Sequence, residues 1–147
     1  MTEPLPSDVA ITAWARLVRQ GQRVLALVEG DLKAAGFPPL AWYDALLELR
    51  RVGDKGLRPY RLQREMLLAQ YNMSRLLDRL VRAGHVERLP SAEDGRGTLM
   101  RISASGRELL DRMWPVYRAA IDRHFASRLS ETEAATLSRL LARLGDG

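Results

Sequence analysis

The stretch Glu93-Asp94-Gly95-Arg96-Gly97-Thr98-Leu99-Met100-Arg101-Ile102-Ser103-Ala104-Ser105-Gly106 decides how this chain is read. Its first five residues make a charged turn, and a glycine on each side of Arg96 permits a tight tip. Thr98 to Ile102 then reads as a short strand, and Ser103 and Ser105 offer caps for a following helix. Ahead of the turn, His85 to Leu89 reads as the partner strand. Such a hairpin lifts Arg96 away from the body of the domain. Asp94, two residues earlier, is placed to orient the guanidinium.

Immediately upstream, Met73, Leu76, Leu77, Leu80 and Val81 recur at i, i+3, i+4, i+7 and i+8. That spacing predicts an amphipathic helix over Gln70 to Ala83, ended by Gly84. The opposite side carries Gln70, Tyr71, Ser74, Arg75, Asp78, Arg79 and Arg82. A major groove accepts one α-helix, and its base edges are read by side chains near the helix N-terminus. Tyr71, Ser74, Arg75 and Asp78 share a helical face, with Gln70 and Asn72 beside it. Arg75 suits guanine, Gln70 or Asn72 suits adenine, and Ser74 and Tyr71 suit bases or phosphates. Arg79 and Arg82 suit phosphates or internal carboxylates. Arg96 suits the concentrated negative potential of a minor groove. Each element alone has a plainer reading: a solvated helix face, or an exposed tip with a weak ion pair. In succession they predict a mainly α fold with a small β-hairpin, a winged helix-turn-helix that meets DNA in two grooves.

The charge distribution agrees. The chain carries a net +5. Residues 50–107 hold 13 basic and 6 acidic side chains, a net +7, and the remainder holds 10 basic and 12 acidic, a net −2. The positive excess therefore coincides with the helix and the hairpin, where a polyanion would be gripped.

Striped helices flank this basic middle. From a cap at Ser7 or Asp8, residues Ile11, Trp14, Val18, Gly21, Leu25, Val28 and Leu32 alternate at spacings of three and four until Gly36 and Pro38-Pro39 stop the helix. A second helix runs from Leu40 to Val52, and a third starts near Pro59 and runs to about Leu67, with Leu62, Met66 and Leu67 facing inward. A fifth reaches from Ser103 towards Arg128, with Pro115 expected to bend or weaken one turn. Ser130-Glu131-Thr132-Glu133 is a capping box opening a sixth helix with Leu137, Leu140, Leu141 and Leu144 on one side. Terminal stripes of this kind are buried most simply by pairing with a second copy, so a homodimer is expected. Gly21 on the first stripe would let the partner backbone approach closely.

These residues resemble the MarR family, the multiple antibiotic resistance regulators. The wing pattern Asp-x-Arg, then a strand, then Leu/Ile-Thr/Ser-x-x-Gly is matched by Asp94-Gly95-Arg96 and Ile102-Ser103-Ala104-Ser105-Gly106. Arg75-Leu76-Leu77-Asp78-Arg79-Leu80 and Gly84-His85-Val86-Glu87-Arg88 match a second family pattern. Leu62-Gln63 departs from the usual Leu-Ala, and Ala69 stands where a small polar cap is common. The resemblance covers nearly the whole chain as one MarR-like domain. It implies a winged-helix lobe at about residues 40–104 and dimerisation helices at about 7–36 and 105–145. It further implies an obligate dimer that binds a pseudo-palindromic operator in double-stranded DNA, usually as a repressor. Many relatives are released by a small aromatic effector lodged between the dimer helices and the DNA-binding lobe. Trp14, Trp42 and Tyr43, with Trp114 and Tyr117, are the candidate ligand contacts, since each joins an apolar face to a polar tip; the plainer reading is core or dimer interface.

Other classes find less support. The absence of cysteine excludes disulfides, zinc–thiolate sites and thiol chemistry. His85 and His124 are too few and too far apart for a metal site; His85 is expected at a helix–strand corner and His124 on a helix surface. No nucleophile–base pair, glycine-rich phosphate loop or cofactor motif stands out, so the chain is read as a non-enzyme without cofactors. Met1 to Pro6 has neither the charge nor the apolar run of a signal peptide, and the apolar runs are too short for a membrane span, so a cytoplasmic location is expected. The alternative is a winged-helix adaptor that binds protein and lacks specific DNA binding; the local +7 argues against it.

Overall fold

The computed structural model describes residues 3–90 and 98–145. The chain forms two compact units, one of Met1–Asp31 with Tyr117–Gly147, the other of Leu32–Val116. Helix α1 (Asp8–Ala34) and helix α5 (Ala104–His124) each contribute to both. Between them come α2 (Leu40–Val52), α3 (Pro59–Glu65), α4 (Met73–Arg82), and strands β1 (Val86–Pro90) and β2 (Thr98–Ile102); α6 (Glu131–Ala142) closes the chain. No helix among the described residues is long and apolar enough to cross a membrane.

The 32–116 unit is built around one apolar core. Leu46 and Leu49 of α2, Leu62 of α3, Leu80 of α4, Met100 of β2, and Leu110 and Met113 of α5 are all 1% exposed or less. Burying these side chains supplies the driving force that orders the short helices, which would not persist alone in water. α3 begins on Pro59, whose fixed φ suits the first helical turn. It ends at Glu65, and Leu67 is exposed, not inward as its spacing implied. Two residues beyond α3 the chain has left helical geometry, so the spacing no longer assigns a side.

The sheet is an antiparallel hairpin that pairs Val86 with Ile102 and Pro90 with Thr98. Leu57 adds an isolated bridge, exchanging two backbone hydrogen bonds with Met100 (2.8 and 2.9 Å). The corner between α4 and β1 follows from Gly84. Its φ of +82° reverses the chain, and the amides of Gly84 and His85 donate to the carbonyls of Val81 and Leu80. This is the double hydrogen bond of a Schellman stop, which an L-residue accommodates poorly. As expected, His85 occupies the corner, where its Nδ1 lies 2.8 Å from the Ser105 hydroxyl.

In the other unit the first stripe is graded. Ile11, Trp14, Val18 and Leu25 are exposed, whereas Val28 is buried; Leu32, which follows in the 32–116 unit, is buried too. α5 runs unbroken through Pro115. It stops at His124, and a 3-10 turn over Ala126–Arg128 stands where the longer helix was expected. His124 is not a surface residue. Its side chain is only 15% exposed, and its Nε2 lies 2.9 Å from Asp31 Oδ2, the oxygen that also accepts from Arg123 at 2.8 Å. α6 opens on the expected capping box, with Ser130 and Glu133 bonded reciprocally at 2.9 and 3.1 Å. That exchange holds the Glu133 carboxyl below its usual range.

Candidate nucleic-acid interface

α4 is amphipathic in the way its sequence implies. Met73, Leu76, Leu77 and Leu80 are buried, and Ser74, Arg75, Asp78, Arg79 and Arg82 are exposed. Among the described residues, Arg75, Arg79 and Arg82 form no ion pair. Their charge is therefore offered to solvent. Asp78 is different, because its carboxylate is held by Arg88 of β1. The acidic residue on the outer side of α4 is thereby neutralised, and the helix is tied to the first strand of the hairpin.

The start of α4 corrects the sequence reading. The helix begins at Met73, not Gln70, and Asn72 is its N-cap: the Asn72 side-chain oxygen accepts the Arg75 N–H at 2.9 Å. A local asparagine cap outcompetes extension of the helix, since an uncapped start would leave orphan amides. Gln70 and Tyr71 thus lie in the turn before the helix. Tyr71 is fully exposed, and Gln70 is half-buried, its carbonyl accepting from the Gln63 side chain at 3.2 Å and its own amide reaching Ala69 O at 3.1 Å. Ser74 and Arg75 occupy the first helical turn, where an exposed side chain faces outward from the helix end.

One residue that sequence reasoning missed stands behind this turn. Asp44 of α2 is buried, and its two carboxylate oxygens accept the consecutive amides of Leu67 (2.9 Å) and Leu68 (2.7 Å). An aspartate inside the apolar pattern of α2 was the available signal. A buried carboxylate requires donors, and here backbone amides supply them.

Across the hairpin, Glu87 and Arg101 are directly opposed and joined at 2.7 Å. Asp94 and Arg96, the wing residues, lie outside the described residues, as does the rest of the segment 91–97. Basic residues on α3, Arg61 and Arg64, are exposed as well.

The candidate ligand aromatics occupy separate environments. Tyr43 is buried and stacks on Trp114, with ring centroids 6.3 Å apart. Burial is the main cause that raises its pKa. Trp42 meets the His85 ring edge-on at 6.0 Å. Trp14 is exposed on α1. Tyr43 and Trp42 belong to the 32–116 unit and Trp14 to the other.

The MarR family model matches residues 35–97. The HTH-type transcriptional regulator YkoM of Bacillus subtilis is 33% identical over 118 residues, which span 78% of this chain and 72% of that protein. The chain belongs to the MarR family of transcriptional regulators. The multiple antibiotic resistance protein MarR of Escherichia coli is 30% identical over 88 residues, and the match spans 60% of this chain and 61% of that protein. A MarR family regulator of Streptomyces coelicolor, solved in complex with DNA, shares the fold with a TM-score of 0.86 at 19% identity, covering 97% of this chain and 89% of that one. A mutant E. coli MarR solved with operator DNA gives a TM-score of 0.79 at 26% identity, covering 92% and 96% of the two chains.

Proposed function

We propose that this MarR family member acts as a homodimer that binds a pseudo-palindromic operator in double-stranded DNA and represses transcription. Each copy lays α4 in a major groove. Ser74 and Arg75 meet base edges, Gln70, Tyr71 and Asn72 flank them, Arg79 grips phosphate, and Asp94 and Arg96 of the wing enter the neighbouring minor groove. Residues at about 40–104 form the DNA-binding lobe. The helices at about 7–36 and 105–145 pair the copies.

The observation that carries this reading is the outer side of α4: three arginines free of ion pairs among the described residues, with its one acidic residue neutralised by Arg88. A helix face meant only for solubility has no need for that selective neutralisation. The homodimer is supported by two exposed apolar sets, Ile11, Trp14, Val18 and Leu25 on α1, and Leu140 and Leu141 on α6 with Leu144 just after it. Apolar rows of this kind mark protein contacts. Release by a small aromatic effector is the finer part of the proposal.

Selection of bound duplexes from a random DNA pool tests the reading. A palindromic consensus, with half-sites about one helical turn apart, is the expected result. Uniform, salt-sensitive binding to every duplex would overturn it and favour the adaptor.

A further inference from the structure

From Leu67 to Asn72 the chain runs through six residues with no helix, no strand and no buried side chain. Leu67, Ala69, Tyr71 and Asn72 are exposed, and Leu68 and Gln70 are half-buried. Leu67 in particular is 76% exposed. Apolar packing within this turn is therefore limited to the half-buried Leu68, although Met66 and Met73 are buried at its two ends. Yet the turn decides where α4 starts and how its first turn is rotated.

Polar ties take over that task. Asp44 lies on a different helix, 23 and 24 residues earlier in the chain, and grips the amides of Leu67 and Leu68 at 2.9 and 2.7 Å. Two charge-assisted hydrogen bonds to adjacent amides fix the direction of the backbone as well as its position. Gln63 adds one neutral tie to the far side of the turn at 3.2 Å. The side chain of Asp44 is itself buried, so water competes poorly for its oxygens.

We infer that Asp44 is a positioning residue for DNA recognition: its carboxylate holds the turn between α3 and α4 in the backbone shape that aims Ser74 and Arg75 at base edges. The inference rests on the proposed reading of α4 as the recognition helix. Asp44 acts through the turn and does not touch DNA.

The test uses the full-length chain, a duplex selected by the wild-type protein from a random pool, and a scrambled duplex of equal length. Affinities for both are measured by fluorescence anisotropy for wild type, Asp44→Asn, Asp44→Ala and Leu110→Ala. Leu110 is a core residue of α5 that serves as a stability control. Asp44→Asn keeps the shape but leaves only one acceptor oxygen, so the ratio of selected to scrambled affinity falls about tenfold. Leu110→Ala lowers the thermal midpoint and leaves that ratio intact. An unchanged ratio in Asp44→Asn overturns the inference. Should either Asp44 variant fail to fold, amide exchange in the wild type decides: Leu67 and Leu68 must be protected despite lying in a turn without buried side chains, and fast exchange at both overturns the inference. If the wild type selects no sequence at all, the DNA-binding proposal itself fails, a result distinct from an unaltered ratio in the variant.

Discussion

Arg88 on β1 grips Asp78 on α4, so the outward carboxylate of the helix is neutralised by the strand that leads into the wing. Both side chains are about half exposed, at 46% and 52%. A pair so wet contributes no more than about 1 kcal/mol to folding. Its larger effect falls on electrostatics at the outer side of α4. Without Arg88, Asp78 would face phosphate as a bare negative charge. We expect Arg88→Ala to weaken binding to a selected duplex roughly tenfold, with a thermal midpoint only a few degrees lower. Adding Asp78→Asn should restore most of the affinity. Anisotropy and calorimetry check both, and a double variant as weak as the single one would refute the electrostatic explanation.

Base reading and phosphate gripping separate in a second pair of variants. Arg75 sits in the first turn of α4 and Arg79 one turn later. Arg75→Ala should cost about 1–3 kcal/mol on the selected site and relax preference at one base pair. Arg79→Ala should weaken all duplexes alike and lower the slope of log K against log salt by about one. Equal loss on selected and scrambled DNA for Arg75→Ala would remove its base-reading role. Arg96→Ala is expected to reduce affinity most where A·T pairs narrow the minor groove.

Gly106 is required by space. A Cβ built there lies 2.4 Å from the His85 carbonyl oxygen and 2.8 Å from Ile102 Cγ1. The nearer atom is backbone at the corner between α4 and β1, which cannot swing aside as a side chain can. Gly106→Ala should therefore destabilise the fold by about 3 kcal/mol, lowering the thermal midpoint by roughly ten degrees. A midpoint within a degree or two of wild type would contradict this account of the glycine in the Ile102-to-Gly106 motif.

His85 makes stability depend on pH. Burial holds its pKa below the ordinary 6.5; Arg112 adds to the effect, and a hydrogen bond with Ser105 opposes it. Above 6.5 the imidazole is neutral in both the folded and unfolded chain, so its contribution is fully present there. As pH falls through that value, the unfolded chain takes up a proton that the folded chain resists. Stability is lost until the folded pKa is passed. Thermal midpoints measured from about pH 7 down to about pH 5 should fall, and His85→Gln should flatten part of that decline. Superimposable profiles for the two proteins would exclude the histidine as the source.

The apolar row on α1 gives the last expectation. Trp14→Glu combined with Leu140→Glu replaces two exposed apolar side chains. Sedimentation velocity should find wild type as a dimer and the variant as a monomer. The wild-type thermal midpoint should also rise with protein concentration, because association stabilises only the folded state. A wild type that sediments as a monomer throughout would end the dimer proposal.

Much of the fold was legible because its signals are short in range. The stripe Met73, Leu76, Leu77, Leu80 needs only the helical period, the Ser130–Glu133 box needs only one turn, and the Gly84 stop needs only its own φ. The MarR family patterns at Arg75–Leu80 and Ile102–Gly106 are likewise contiguous. Tertiary contact settled a different set of facts. Asp31 meets His124 across 93 positions, Asp78 meets Arg88 across 10, and Asp44 meets Leu67 and Leu68 across 23 and 24. The start of α4 at Met73 lies between these cases: its Asn72 cap is local, but the turn feeding it is held by α2. Periodicity and capping act through neighbours along the chain, so composition and spacing reveal them. A charged side chain takes its partner from whatever packing brings within about 3 Å, and no local pattern names that partner.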